Sequence, residues 1–170
     1  MDTTASSSRE LSRVTRADSR RECPDPDSTN VLTATSGWYL LGGYWLSGRG
    51  TRCVRVGELA ERLSVAPASV TEMVDVLADT LLLETEPYAG FELTDRGTVH
   101  AEALAWRQCV VATFFDRTLS YAIDDETAYR IGYELPGPGL VRLERRIDRP
   151  RERTCRRLAD DGTCLVGTFG

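Results

Sequence analysis

Not one lysine occurs in the 170 residues, so all 21 basic side chains are arginine. Any recognition of phosphate or guanine therefore falls to planar, bidentate guanidinium groups, although a GC-rich coding sequence leaves the same composition. Histidine is nearly as scarce. With His100 alone, neither a Ser/His/Asp nor a Cys/His catalytic set has a convincing base, and a metal site built on histidine lacks partners. A glycine-rich phosphate loop is missing as well, and Asp124-Asp125 reads as a helix start rather than a catalytic pair. These gaps point away from an enzyme. No run of about 20 apolar residues is present to cross a bilayer, and the Ser/Thr/Arg/Asp-rich start lacks the apolar stretch of a signal peptide. A cytoplasmic location is expected, where the five cysteines, an odd number, stay reduced rather than forming a disulfide framework.

What is present is an ordinary globular balance, 41% hydrophobic and 28% charged residues, enough to bury a core. The net charge of -5 and a pI near 5.0 run against nucleic-acid binding as a bulk property, because phosphate neutralisation supplies most non-specific affinity. Distribution matters more than the total. Residues 1–30 hold almost no large apolar side chain and read as a disordered tail. Their arginines (Arg9, Arg13, Arg16, Arg20, Arg21) could track DNA, but acidic residues are interspersed.

Residues 38–46, WYLLGGYWL, read as a buried helix despite the helix cost of Gly42 and Gly43. Val56, Leu59, Ala60 and Leu63 form the apolar stripe of a short amphipathic helix. The turn Ser64-Val65-Ala66 follows, and Pro67 suits the first turn of a second helix because its missing N–H would find no partner there anyway. That helix is expected to bury Val70, Met73, Val74, Leu77 and Leu81. Two short strands, 82–86 and 91–93, flank a Pro87-Tyr88-Ala89-Gly90 turn. Thr94 caps a long helix running to about Leu119, whose apolar surplus suggests a face shared between two subunits. A further helix spans 124–133, Pro136-Gly137-Pro138-Gly139 reads as a break, and a last helix covers 140–147.

Two helices around a three-residue turn, followed by a hairpin, let one helix enter the major groove while the wing touches flanking backbone. The base-reading positions are then Ala68, Ser69, Thr71 and Glu72, with Pro67 fixing the entry, where hydroxyls contact phosphate or base edges and a carboxylate accepts from cytosine N4. Arg55 and the wing residue Tyr88 complete the expected DNA contacts. Glu72, Asp75 and Asp79 repel phosphate unless Arg49, Arg52, Arg55, Arg62 and Arg96 compensate.

The run ELAERLSVAPASVTEMVDVLADTLLLETEPYAGFELTDRG, residues 58–97, resembles the DNA-binding domain of the iron- and manganese-dependent repressors of the diphtheria-toxin-repressor and manganese-transport-regulator type. Its V-x-P-x-S-V-T turn and short wing ending Gly-x-x-Leu-Thr carry the likeness, which extends more weakly over residues 36–147. The resemblance implies a mainly α fold: a winged helix-turn-helix at 31–97, a helical dimerisation region at 98–147, and a flexible tail at 148–170. It also implies a homodimer on palindromic double-stranded operator DNA, controlled by Mn2+ or Fe2+. The positions matching the family's metal ligands hold Trp38, Leu41, Gln108, Ala112, Tyr129, Gly132 and Tyr133, none of which offers the donor a hard divalent ion needs. A divergent regulator with a degenerate metal site is therefore expected. Two other readings stay open: a protein-interaction module that has lost DNA binding, and a redox or soft-metal sensor using Cys109, Cys155 and Cys164.

Overall fold

The computed structural model describes residues 32–48 and 50–147. The expected tails, Arg49, Cys155 and Cys164 lie outside them. Among the described residues six helices and one two-stranded sheet follow in the order α1 (Ala34–Leu46), α2 (Val56–Leu63), α3 (Pro67–Asp79), β1 (Leu83–Glu86), β2 (Gly90–Leu93), α4 (Asp95–Thr118), α5 (Asp125–Glu134) and α6 (Gly137–Arg146). The fold is a mainly helical winged helix. Among the described residues no helix is long and apolar enough to cross a membrane.

Long α4 joins two apolar clusters. Its first half packs Ala101, Leu104 and Ala105 into a core with Leu40, Leu41 and Tyr44 of α1, Leu59 of α2, Val70, Val74 and Leu77 of α3, and Phe91 of the wing. Its second half carries Trp106, Val110 and Val111 into another cluster with Ala128 of α5 and Leu140 of α6. Each fully buried Leu or Phe contributes roughly 1.5–3 kcal/mol. The apolar surplus read as an intersubunit face is thus largely covered by α5 and α6 of the same chain, although Val99, Leu119 and Tyr121 remain exposed.

The structure corrects three other expectations. The Pro136–Gly139 segment is not a break but the opening of α6, with Pro136 as N-cap and a proline inside the first turn. Proline is tolerated there because first-turn N–H groups have no intrahelical acceptor. Leu81 is 67% exposed rather than buried. It follows the end of α3 in the left-handed region at φ 59°, where its N–H reaches the Ala78 carbonyl and the Leu82 N–H reaches that of Leu77. This is a Schellman closure with leucine in the position glycine usually takes. The wing loop has three residues rather than four, because Gly90 already pairs with Glu86.

Two glycines permit close approaches. A Cβ on Gly97, in the first turn of α4, would collide with the Leu82 carbonyl, so only glycine lets α4 start directly beneath the base of the wing. Gly90, at φ 128°, would meet the Val54 carbonyl in the same way. That contact seats the wing on the segment before α2 through paired hydrogen bonds between Val54 and Phe91, 2.8 and 2.9 Å long. Nothing in the local pattern of Val54 signals this extra bridge.

Candidate nucleic-acid interface

The turn between α2 and α3 is closed by the same device as the end of α3. Ser64 adopts φ 55°, and the Val65 N–H bonds the Ala60 carbonyl at 3.0 Å. The chain therefore reverses within three residues and hands over to Pro67, the first residue of α3. Val70, Val74 and Leu77 bury one face of α3. The helical repeat then turns Pro67, Ala68, Ser69, Thr71 and Glu72 outward, and all five are exposed. The Thr71 hydroxyl donates to the Pro67 carbonyl at 3.2 Å, which leaves its oxygen and methyl group as the outward contacts.

At the tip of the wing the Ala89 N–H reaches the Glu86 carbonyl at 3.1 Å. Pro87 and Tyr88 occupy the central turn positions, and Tyr88 has a positive φ of 66°. Positive φ at the second central position of such a turn is normally taken by glycine or asparagine. Here a fully exposed aromatic ring is held there instead, so the wing presents a large apolar group at the cost of local strain.

Arg55 sits directly after the Val54 bridge and is exposed at the start of α2. Its N–H donates to the Glu58 carboxylate at 3.0 Å, and the Arg52 guanidinium lies 3.3 Å from the same group. That backbone hydrogen bond, followed by the contact with Arg52, holds the Glu58 carboxyl below its usual range. Arg62, in the last turn of α2, stacks over the ring of Trp45 at 5.1 Å. Neither α3 nor the two strands carry any basic residue, while Glu72, Asp75, Asp79, Glu84, Glu86 and Glu92 are all exposed there. The positive charge available to a duplex lies around this surface, on Arg52, Arg55, Arg62 and Arg96, rather than on the reading helix.

Of the residues expected from the resemblance at metal-ligand positions, Trp38, Tyr129 and Tyr133 come together where α1 meets α5. Trp38 and Tyr129 lie with ring centroids 5.0 Å apart, and Tyr133 stands 6.1 Å from Tyr129. Burial, with a smaller contribution from Tyr133, raises the pKa of the Tyr129 phenol well above the ordinary tyrosine range. It stays neutral and donates to the Ala34 carbonyl at 2.7 Å. Tyr133 likewise donates to Leu32. Gln108 is fully buried and gives its amide N–H to the Asp125 carbonyl at 2.7 Å. Gly132 lies tight against the Arg107 backbone. Leu41 is wholly within the core, and Ala112 is half-buried on α4. These residues offer indole, phenol, amide and alkyl groups, and among the described residues no group of three or more His, Cys, Asp or Glu could hold a metal ion.

Sequence reasoning missed Arg107. It is buried, and its guanidinium donates to the Gly132 and Leu135 carbonyls, both at 2.9 Å. A buried cation is costly without partners. The unsatisfied carbonyls at the C-terminus of α5 supply them with a favourable helix dipole. An arginine inside the otherwise apolar stretch of α4 was the available signal. Cys109 is buried in the main core with its thiol 3.7 Å from the Thr113 hydroxyl, and His100 is also buried.

The family described as "Iron dependent repressor, N-terminal DNA binding domain" matches residues 32–91. The HTH-type transcriptional regulator MntR of Oceanobacillus iheyensis is 37% identical over 75 residues, covering 44% of this chain and 49% of that protein. The chain thus spans about half the length of this curated relative. Among solved structures, the manganese regulator SloR superposes with a TM-score of 0.62 at 26% identity, over 74% of this chain and 58% of that one. ScaR with bound Zn2+ gives 0.57 at 27% identity, over 73% and 57%.

Proposed function

We propose, from the match of residues 32–91 to the iron-dependent repressor N-terminal DNA-binding domain, that the chain is a homodimeric, cytoplasmic transcription regulator that binds palindromic operator DNA without needing a divalent metal. In this reading α3 enters the groove at Pro67 and reads bases through Ala68, Ser69, Thr71 and Glu72, while Arg55 and Tyr88 contact the flanking backbone. Residues 31–97 form the DNA-binding domain, and 98–147 carry the dimer contact. The observation that carries the reading is the outward, uncovered polar face of α3 beyond its three-residue turn. Loss of metal control is supported by the side chains at the ligand positions, which do not fit Mn2+ or Fe2+. They spend their polar atoms on the chain itself, so the helix arrangement that a metal would stabilise is held by internal hydrogen bonds and ring contacts.

Fluorescence anisotropy with family-type palindromes, with and without Mn2+, Fe2+ or chelator, tests this. The expected outcome is binding that the metal ions and the chelator leave unchanged. A Thr71→Ala/Glu72→Ala pair that keeps full operator affinity would falsify the placement of the reading helix, and metal-dependent binding would refute the degenerate site. The acidity of α3 and the wing favours one second reading, a protein-interaction module with a basic partner; absence of operator binding at every salt concentration would select it. A cysteine sensor is disfavoured at Cys109, whose burial keeps oxidant and soft metal away from the thiol.

A further inference from the structure

Beside the aromatic cluster lies an open cavity of about 390 Å³, between the start of α1 and one face of α5. The half-buried Trp38 contributes ring surface with the buried Tyr129 packed behind it, and Glu126, Arg130 and Glu134 contribute the charges. Arg130 is paired with Glu126 at 2.8 Å. Glu134 has no ion-pair partner among the described residues, so the lining keeps one uncompensated negative charge. The volume lies in the range of small-molecule sites. An indole face beside an unpaired carboxylate forms an environment selective for a cation with an apolar skin, because the ring quadrupole and the carboxylate attract the charge while the ring accepts the alkyl surface.

The same rings reach the helix-turn-helix. Trp38 meets Trp45 edge-on at 5.6 Å, and Trp45 carries the Arg62 guanidinium on its other contact. Arg62 belongs to the last turn of α2, directly before the turn that sets α3. A ligand that shifts the Trp38 ring therefore pushes on a stack ending at the DNA-facing unit.

We propose that this cavity is an effector site for a small organic cation of the alkylammonium class, seated on the Trp38 ring and neutralised by Glu134. The effector role rests on the reading of the chain as a metal-independent operator-binding regulator, whereas the binding site does not.

Tryptophan emission of the full chain, titrated with choline chloride against sodium chloride at equal ionic strength, reads binding without DNA. A saturable change is expected, and the uncharged isostere 3,3-dimethylbutan-1-ol should bind about tenfold more weakly, the size of a partly desolvated cation–π contact. Trp38→Leu should abolish the response. The exposed Glu134→Gln, which leaves the packing of α5 intact, should weaken choline several-fold. Equal binding of choline and its isostere, no saturable response in the wild-type chain, or an unchanged affinity in Glu134→Gln overturns the site. Saturating choline should shift operator affinity at least threefold relative to matched sodium chloride; an unaltered operator affinity overturns the effector role. Choline binding by a chain that binds no operator would sink the regulator reading and leave the site standing. Metal-independent operator binding without choline binding would do the reverse.

Discussion

Replacing Asp75 and Asp79 by asparagine removes two exposed charges from the outward side of α3 while keeping size and helix propensity nearly constant. Both residues lie beyond the base-reading positions, so the perturbation acts on the phosphate field rather than on recognition. Two unit charges about 8 Å apart in water interact by roughly 0.5 kcal/mol. Screening leaves about 0.4 kcal/mol at 10 mM salt, where the Debye length is about 30 Å, and about 0.2 kcal/mol at physiological salt, where it is about 8 Å. With two such charges on each subunit of a dimer, the variant should bind operator roughly 15-fold tighter at 10 mM salt, about 3-fold to 4-fold tighter at 150 mM, and no tighter at 1 M. Anisotropy titrations of a labelled palindrome across that salt range measure the trend. Weaker binding of the variant at every salt concentration would refute the reasoning, since it would mean the carboxylates make base contacts. So would a gain independent of salt.

Leu81→Gly should stabilise the fold, because a left-handed conformation costs an L-residue roughly 1–2 kcal/mol and glycine returns about 0.5–1 kcal/mol of that in chain entropy. With Leu81 two-thirds exposed, little burial is lost, and circular dichroism should record a melting temperature a few degrees higher; a lower one contradicts the Schellman assignment. Thr94→Ala should destabilise by about 1–2 kcal/mol, because the hydroxyl both accepts from the Gly97 N–H at 3.0 Å and donates to the Leu81 carbonyl at 2.9 Å. Urea unfolding checks it, with Thr94→Ser expected to recover most of the loss. The backbone and hydroxyl of Thr127 hold the Asp124 carboxyl below its ordinary value of 3.8. This lowered folded-state pKa makes the cap's contribution complete above that value and lost as pH falls through the folded one. The acid side of the stability curve should therefore be less steep in Asp124→Asn, and an unchanged acid limb would show that the cap does not titrate as described.

Much of the helix-turn-helix was legible because its signals are local. The stripe Val56, Leu59, Ala60, Leu63, the proline at position 67 and the threonine cap at 94 each specify backbone within one or two turns, and the helices begin where those residues indicate. Exposure of Pro67, Ala68, Ser69, Thr71 and Glu72 followed from the periodicity of Val70, Val74 and Leu77 alone. The wing was legible as a hairpin, but not its anchorage, since Val54 meets Phe91 only after the chain has passed through two helices.

Tertiary packing decided the remainder. Leu81 continues the helical spacing of α3, yet the Schellman closure ends the helix first and turns the side chain to solvent, a competition that spacing cannot register. The apolar second half of α4 looked like a surface awaiting another subunit until α5 and α6 folded back over it. Likewise, the residues standing where metal ligands were expected gave their identities in the sequence, but not their contacts. Trp38 and Tyr129 lie far apart along the chain, and only the docking of α5 against α1 brings their rings together and forms the acidic cavity beside them. Backbone conformation is governed by neighbours within a turn or two, whereas a binding surface is made by whichever side chains the closed core leaves facing one another.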